Sequence, residues 1–212
     1  MPETQRPHPG PSPARAAKTA LRDQLTTARK RRSLEEVAET GRRLRDHLLA
    51  LPEVRRAATV ASYVSVGSEP GTGLLLEALH AQGKRVIVPV VLPDLDLDWA
   101  VHPGTGAGLA TRRGLLEPEG PPLGVDAIAT ADVVLVPGLA VDDAGYRIGK
   151  GGGCYDRALA RVPVGTPTIV LLYDDEVGRE VPVEPHDRPV LAAASPRGIT
   201  PLSARGRGPA GG

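Results

Sequence analysis

The chain has 212 residues and a formal net charge of +1, from 26 Lys and Arg residues against 25 Asp and Glu residues. This length suits a single domain with a hydrophobic core of its own, and the balanced charge lacks the basic field that favours nucleic acid, so nucleic acid is not expected as a partner. Because Cys154 is the only cysteine and no stretch has the pattern of a signal peptide or the roughly 20 apolar residues of a membrane span, we expect a cytoplasmic protein without disulfides or membrane contacts.

The two ends of the sequence differ in composition from the rest. Residues 1–13 are rich in proline, and residues 201–212 are rich in glycine and arginine. Neither stretch has the apolar content that folding requires. Both are therefore predicted to be disordered tails around one domain at 14–200.

The first part of the domain is predicted to be helical. Helix-favouring composition runs from Ala14 to Arg32. Ser33 and Glu36 then have the spacing of a capping box, in which each residue satisfies a free backbone N–H group of the other. This spacing predicts a second helix that begins after Ser33 and runs towards Leu49.

After Pro52 the hydrophobic pattern changes from helical to extended. Apolar and β-branched segments predict strands at 59–66, 84–91, 95–101, 132–141 and 167–174, with helices at 73–82 and 153–162. The glycine- and proline-rich stretch from Pro103 to Pro122 is expected to be an extended loop. Strands that alternate with helices predict an α/β fold, a single domain with a mainly parallel central sheet flanked by helices.

The segment at 136–161 gives the strongest signal for chemistry. It leaves a buried strand, crosses a glycine-rich stretch and enters a helix, which is where open α/β sheets bind their ligands. Gly149 and the run Gly151 to Gly153 allow the backbone to approach a phosphate closely, and Arg147 and Lys150 supply positive charge. The spacing matches neither the P-loop nor the dinucleotide fingerprint, so a flexible surface turn stays open as the alternative for the glycines alone.

This segment, VPGLAVDDAGYRIGKGGGCYDRAL, resembles the signature of the 5-formyltetrahydrofolate cyclo-ligases, also called methenyltetrahydrofolate synthetases. Further pieces of the family pattern occur in the same order along the chain: Lys18 and Arg22, the stretch from Tyr63 to Thr72 with Glu69, Val88-Pro89, Glu117-Pro118 and His186-Asp187. The resemblance extends from about Lys18 to Ser195. It implies an α/β fold of the NagB/RpiA/CoA-transferase type.

The resemblance implies an ATP-dependent ligase reaction on a folate. 5-Formyltetrahydrofolate would be converted to 5,10-methenyltetrahydrofolate with Mg²⁺, and ADP and phosphate would be released. Transfer of the γ-phosphoryl group makes the formyl oxygen a good leaving group, after which the neighbouring folate nitrogen attacks the formyl carbon. Such a site needs cations, a metal and accurate placement rather than a protein nucleophile. We expect a monomer whose partners are the small-molecule folate and ATP.

The resemblance also implies roles for individual positions. ATP contacts are implied for Lys18, Arg22, Arg147, Ile148, Gly149, Lys150, Gly151, Gly152, Gly153, Cys154 and Tyr155, with Arg147 and Lys150 as catalytic cations. Folate contacts are implied for Arg22, Val64, Glu69 and Cys154, and magnesium ligands for Asp156 and Asp187. Taken without the resemblance, the same residues have plainer interpretations as a solvated basic helix face, as acids at helix starts and as surface carboxylates.

Two positions depart from the family pattern. Cys154 stands where the family has tyrosine, and Val141 where it has phenylalanine. Both changes are expected to shrink the wall of the folate pocket, and a stacked ring contributes on the order of 1 kcal/mol beyond its area. Two alternatives therefore stay open: a related ATP-dependent enzyme for another formyl or amide substrate, and a non-catalytic nucleotide- or RNA-binding relative. A serine hydrolase is not expected, because the sequence has no G-x-S-x-G elbow.

Overall fold

The computed structural model describes residues 13–104, 108–112 and 114–203, so most of both predicted tails lies outside the described residues. The α-helices are α1 (Pro13–Arg29), α2 (Leu34–Ala50), α3 (Pro52–Arg56), α4 (Gly73–Ala81) and α5 (Cys154–Leu159), and 3-10 helices cover Val125–Thr130 and Asp174–Glu176. The strands are β1 (Thr59–Ala61), β2 (Arg85–Val91), β3 (Leu97–Val101), β4 (Leu109–Arg112), β5 (Leu115–Pro118), β6 (Val133–Pro137), β7 (Ala140–Val141), β8 (Arg147–Ile148), β9 (Thr168–Leu171), β10 (Ala192–Ser195) and β11 (Gly198–Pro201). Among these helices, none is long and apolar enough to cross a membrane.

A seven-stranded sheet forms the centre of the domain, with the strand order β11-β10-β9-β6-β1-β2-β3. The inner strands are parallel to one another, whereas the edge strands β3 and β11 run antiparallel to their neighbours β2 and β10. Two small antiparallel pairs, β4 with β5 and β7 with β8, lie apart from this sheet. The predicted α/β fold with a mainly parallel central sheet is confirmed.

Both faces of the inner strands are buried, which explains their continuous apolar sequences. Side chains alternate between the faces along each strand. One face packs against α2, α3 and α4 through Leu44, Leu48, Val54, Val60, Leu75, Leu76, Leu79, Val86, Val88, Val133 and Leu135. The opposite face packs against α5 and the 3-10 helix at 125–130 through Ala61, Ile87, Ile128, Val134, Val136, Ala158, Leu159 and Val170.

The predicted start of α2 is confirmed. The Ser33 hydroxyl accepts a hydrogen bond from the Glu36 N–H group at 3.1 Å, which is the first half of the capping box. The second half is replaced, because the Glu36 carboxylate pairs with Arg32. α1 ends at Arg29 rather than at Arg32, since the residues that follow it form tighter turns that place Arg32 over the Tyr173 ring at 3.9 Å.

The predicted loop from Pro103 to Pro122 is wrong in its middle, where β4 and β5 form a hairpin. Gly114 has a φ of 75°, which permits the tight turn between the two strands. The hairpin is tied to the main sheet, because Glu117 Oε1 accepts a hydrogen bond from Val91 N at 2.9 Å. The glycines of this stretch therefore belong partly to the turn of a hairpin and not only to loop.

Several predicted elements are shorter than expected; the strand predicted at 167–174, for example, is confined to Thr168–Leu171. The strand predicted at 132–141 splits into β6 and β7, because Pro137 has no N–H group to donate and a Cβ atom at Gly138 would lie 2.6 Å from Val170 Cγ2. The strand predicted at 59–66 ends at Ala61, beyond which local side-chain hydrogen bonds replace the sheet ladder. The helix predicted at 153–162 ends at Leu159, and β10 and β11 were not predicted at all.

A buried ion pair fastens α1 to the core. Arg29 Nε donates to Glu176 Oε1 at 2.7 Å, and Nη2 donates to Glu176 Oε2 at 2.7 Å and to the Gly138 carbonyl at 2.6 Å. Only 3% of the Arg29 side chain and 2% of the Glu176 side chain are exposed. Each charge is therefore compensated by the other, and removing either partner would leave a buried, unpaired charge that destabilises the fold.

Replacing Arg29 with methionine is expected to lower the free energy of unfolding by about 3–5 kcal/mol, because Glu176 would remain as an unpaired buried charge. Urea denaturation followed by circular dichroism measures this change. Arg31→Met is the matched control, since Arg31 is exposed on the turn after the same helix, and it should stay within about 0.5 kcal/mol of the unmodified protein. A loss at Arg29 as small as that of the control would contradict the prediction.

Candidate active site

A cavity of about 1000 Å³ opens at the carboxyl ends of the parallel strands β1, β2 and β6. Every position with a predicted site role lines it: Lys18, Arg22, Val64, Glu69, Arg147, Ile148, Gly149, Lys150, Gly151, Gly152, Gly153, Cys154, Tyr155, Asp156 and Asp187. This location follows the rule for ligand sites in open α/β sheets. The structure thus brings residues from both ends of the sequence to one place.

The β7–β8 hairpin leads into a glycine loop at 149–153 that forms one wall of the cavity. At the turn of the hairpin, Gly145 has a φ of 88°, and a Cβ atom there would lie 2.2 Å from the Val190 carbonyl oxygen. Only glycine fits this position. Arg22 Nε donates to the Gly149 carbonyl at 2.7 Å, so α1 holds the first residue of the loop. Near its other end, the Gly152 carbonyl accepts a hydrogen bond from Arg157 Nη2 at 3.2 Å, so the loop is braced at both ends.

Lys18, which precedes Arg22 by one turn of α1, lies between two carboxylates that also line the cavity. Its Nζ atom is 2.6 Å from Asp187 Oδ2, 2.8 Å from Asp187 Oδ1 and 2.9 Å from Glu184 Oε2. The Asp187 carboxylate also accepts a hydrogen bond from Glu184 N at 2.7 Å. The hydrogen bond from Lys18 holds the pKa of the Glu184 carboxyl below its usual value. Lys18 is buried, so it is not part of a solvated basic helix face.

Arg147 is buried beside Asp156. Its Nη1 atom donates to Asp156 Oδ1 at 2.9 Å, and the same oxygen accepts a hydrogen bond from Arg188 N at 3.1 Å. Within the part of the chain that the structure describes, the Nε atom of Arg147 is buried without a hydrogen-bond partner. A buried donor of this kind is normally satisfied by water or by a ligand.

Lys150 forms an ion pair with Glu69, and both residues line the cavity. Its Nζ atom lies 2.6 Å from Glu69 Oε1, while Glu69 Oε2 accepts a hydrogen bond from Val66 N at 2.9 Å. The Lys150 side chain is 61% exposed, whereas that of Glu69 is almost buried. The pair therefore joins an exposed ammonium group to a carboxylate whose position is fixed. A bound ligand can replace either of the two as the partner of the other.

The three ion pairs share one feature: each joins a cation predicted to bind phosphate with an acid predicted to bind magnesium or folate. Lys18 pairs with Asp187, Arg147 with Asp156 and Lys150 with Glu69. In the first two, the cation is almost fully buried. Each of these three cations is thus paired with an acid that lines the same cavity.

The acids near Asp187 form a group that could hold a metal ion. Glu184, His186 and Asp187 each offer a ligand atom, and these atoms lie within 4.8 Å of one another. The Lys18 ammonium already occupies this group as a cation, and carboxylate oxygens are what Mg²⁺ prefers. Asp156, the second predicted ligand, meets the same loop through Arg188 N. The donor set fits a small divalent cation.

Two tyrosine hydroxyls belong to the same cavity as Glu69. Both Tyr63 and Tyr155 line the cavity, and among the described residues their hydroxyl oxygens are buried without hydrogen-bond partners. Burial, together with the negative charge of Glu69, raises the pKa of both phenols. Both hydroxyls therefore stay protonated and can only donate or accept hydrogen bonds.

Several lining residues were missed by the sequence-based prediction. Glu184, Tyr63, Arg29 and Leu95 line the cavity, but only Tyr63 lay in a segment that had been singled out. Cys154 lines the cavity, so the expected loss of pocket wall at this position stays a prediction. The same expectation is wrong for Val141, which is fully buried in the core next to α5 and is not among the described lining residues.

Comparison with known proteins identifies the family. The sequence model of the 5-formyltetrahydrofolate cyclo-ligase family matches residues 14–196. The 5-formyltetrahydrofolate cyclo-ligase of Mycolicibacterium smegmatis is 42% identical over 192 residues, which covers 85% of this chain and 97% of that protein. The chain belongs to the 5-formyltetrahydrofolate cyclo-ligase family. The cyclo-ligase of Escherichia coli K12 is 33% identical over 175 residues, covering 79% of this chain and 94% of its own.

Solved structures agree with this cyclo-ligase assignment. The 5,10-methenyltetrahydrofolate synthetase of Aquifex aeolicus superimposes with a TM-score of 0.73 at 27% identity, over 90% of this chain and 95% of that one. The synthetase of Mycoplasma pneumoniae has a TM-score of 0.68 at 22% identity, over 84% of this chain and 98% of that one, and shares the fold. The prediction of a cyclo-ligase family enzyme, a ligase, is confirmed.

Proposed function

We propose that the chain converts 5-formyltetrahydrofolate to 5,10-methenyltetrahydrofolate with ATP and Mg²⁺, and releases ADP and phosphate. The observation that supports this most directly is that one cavity is lined both by the braced glycine loop and by the cations Lys18, Arg147 and Lys150. Membership of the cyclo-ligase family supplies the reaction class. The cavity volume of about 1000 Å³ is large enough for two organic ligands side by side.

The proposed chemistry begins at the formyl group, whose oxygen is a poor leaving group. This oxygen attacks the γ-phosphorus of ATP, the bond to the β-phosphate oxygen breaks, and ADP leaves. The nitrogen at position 10 then attacks the formyl carbon and loses its proton. The carbon–oxygen bond breaks, phosphate departs, and a methenyl bridge joins nitrogens 5 and 10. No protein nucleophile takes part, so the enzyme acts through placement and charge.

The cavity residues have separate tasks in this scheme. Arg147 and Lys150 neutralise the charge that develops on the transferred phosphoryl group, and the N–H groups of the glycine loop cradle the phosphates. Asp156 and Asp187 would hold Mg²⁺, which supplies further positive charge on the phosphate oxygens. Glu69, fixed by Val66 N, accepts hydrogen bonds from the donor edge of the pterin.

Mixing the purified protein with 5-formyltetrahydrofolate, ATP and Mg²⁺ is expected to produce the ultraviolet absorbance of 5,10-methenyltetrahydrofolate, with one ADP formed per product. Omission of ATP, or chelation of the metal, should abolish the rise. If ATP is consumed without that absorbance, an enzyme for another formyl or amide substrate is supported instead. If the protein binds no ATP at all, the proposal is wrong and a non-catalytic binding protein is favoured.

The remaining parts of the proposal concern the whole protein. A monomeric state, a cytoplasmic location and disordered tails are predictions from the sequence alone. Size-exclusion chromatography with light scattering tests the first of these. A dimer would contradict it without affecting the proposed reaction.

A further inference from the structure

Leu95 adopts a backbone conformation that its side chain disfavours. Its φ angle is 66°, and it is the one non-glycine residue with a positive φ among the residues that the structure describes. The left-handed region brings the Cβ atom of an L-residue close to its own backbone, which glycine avoids and asparagine tolerates. Leu95 is the last residue of the turn Pro93–Leu95 between β2 and β3, a position where either of those residues would serve the turn better.

The Leu95 side chain is also unfavourably placed with respect to water. It is 46% exposed and lines the cavity, next to the apolar side chains of Pro89, Val91 and Leu97. A Cβ atom built on Gly152 would lie 4.0 Å from Leu95 Cδ1, so the leucine faces the glycine loop. Neither the packing of the core nor the chemistry of the turn accounts for a leucine here.

Two arginines of the α5 region hold the turn in this conformation. Arg157 Nη2 donates both to the Leu95 carbonyl and, at 3.2 Å, to the Gly152 carbonyl, which links the turn to the glycine loop. Arg161 Nη1 donates at 2.9 Å to Oδ1 of Asp96, the residue that follows the turn. Strained residues that the surrounding structure fixes in this way concentrate at ligand-binding sites.

We infer that Leu95 is a ligand-contact residue, whose isobutyl group packs against a flat heteroaromatic ring held over the glycine loop. This inference rests on the proposed function, which offers two such rings, the pteridine of the folate and the adenine of ATP. Contact with the ring covers the exposed apolar surface of Leu95, and this gain offsets the backbone strain only when ligand is bound.

The test compares stability with affinity. Leu95→Gly and Leu95→Asn both relieve the strained φ and remove the apolar group, so both should keep or raise the melting temperature while weakening binding about tenfold. Calorimetric titration with ADP and, separately, with 5-formyltetrahydrofolate identifies which ring Leu95 contacts. Leu95→Met keeps an apolar side chain and should bind within about twofold of the unmodified protein.

Leu191→Asn is the matched control, because Leu191 is exposed to a similar degree, 41%, but is not among the described lining residues. It should leave both affinities unchanged. Unchanged affinity of Leu95→Gly for both ligands would overturn the inference while leaving the proposed function intact. If the unmodified protein bound neither ligand, the proposed function would fail and the inference with it.

Discussion

Replacing Lys150 with methionine is expected to lower kcat/KM by about 10²- to 10³-fold, the usual effect of removing one preorganised cation or donor from a transition state. Methionine keeps an unbranched side chain of similar length and removes only the charge. Because the Lys150 side chain is 61% exposed and its ion-pair partner Glu69 also accepts a hydrogen bond from Val66 N, the melting temperature should hardly change. Steady-state kinetics by methenyl absorbance, with thermal unfolding alongside, measures both.

Lys30→Met is a matched control for this change, since Lys30 is exposed in the turn after α1 and is not among the described residues that line the cavity. Its turnover should equal that of the unmodified protein. A second comparison separates two roles for Lys150. If the lysine binds phosphate, Lys150→Met should weaken the binding of ADP. If the lysine only positions Glu69, Lys150→Met should instead weaken the binding of folate, and Glu69→Gln should have the same effect. Full turnover in Lys150→Met would show that the phosphate assignment is mistaken.

Asp156→Asn should have an effect of similar size, about 10²- to 10³-fold on kcat/KM, because it removes a negative charge predicted to hold Mg²⁺. Asparagine is a sharper choice than alanine. The Arg147 side chain is only 3% exposed and donates to Asp156 Oδ1, so an alanine would leave a buried guanidinium without its partner and destabilise the fold. The amide oxygen of asparagine can still accept this hydrogen bond.

Binding of Mn²⁺, followed by electron paramagnetic resonance in the presence of ADP, gives a readout that does not depend on turnover. Asp156→Asn is expected to weaken this binding, whereas Asp46→Asn, an exposed carboxylate on α2, should not. Asp187→Asn should behave like Asp156→Asn. If only Asp187→Asn and Glu184→Gln weakened Mn²⁺ binding, the metal would belong to the group formed by Glu184, His186 and Asp187, and Asp156 would have to be reassigned to holding Arg147.

The parts of the site that could be predicted are those encoded by local spacing. The stretch from Arg147 to Asp156 contains the glycines, the cations and one acid within ten positions, so its pattern was visible without a structure. The inner strands could also be predicted from the sequence, because burial on both faces requires continuous apolar runs. Resemblance to a family then assigned roles to isolated positions, such as Lys18 and Asp187, which no local pattern connects.

The parts that could not be predicted depend on contacts between distant positions. Lys18 and Glu184 are 166 positions apart, and nothing in either segment indicates that an ammonium will lie between two carboxylates. The β4–β5 hairpin was hidden in a stretch whose glycines and prolines favoured a loop. The sequence around Leu95 did not indicate its positive φ. The turn is held by hydrogen bonds from Arg157 and Arg161, which are distant in the sequence.

The ion pairs of the cavity also bear on how the protein chooses among anions. Lys18 and Arg147 are each engaged by a carboxylate, and Lys150 is held by Glu69, so an arriving anion must compete for them rather than simply neutralise them. A lone orthophosphate or sulfate ion reaches one or two of these partners and gains little from the exchange. In the proposed function, a triphosphate chain with its own divalent counter-ion would return a cation to the displaced acids, and its oxygens would bind the two lysines and the arginine. Under the proposed function, we therefore expect these ion pairs to favour the complete metal–nucleotide complex over small cellular anions.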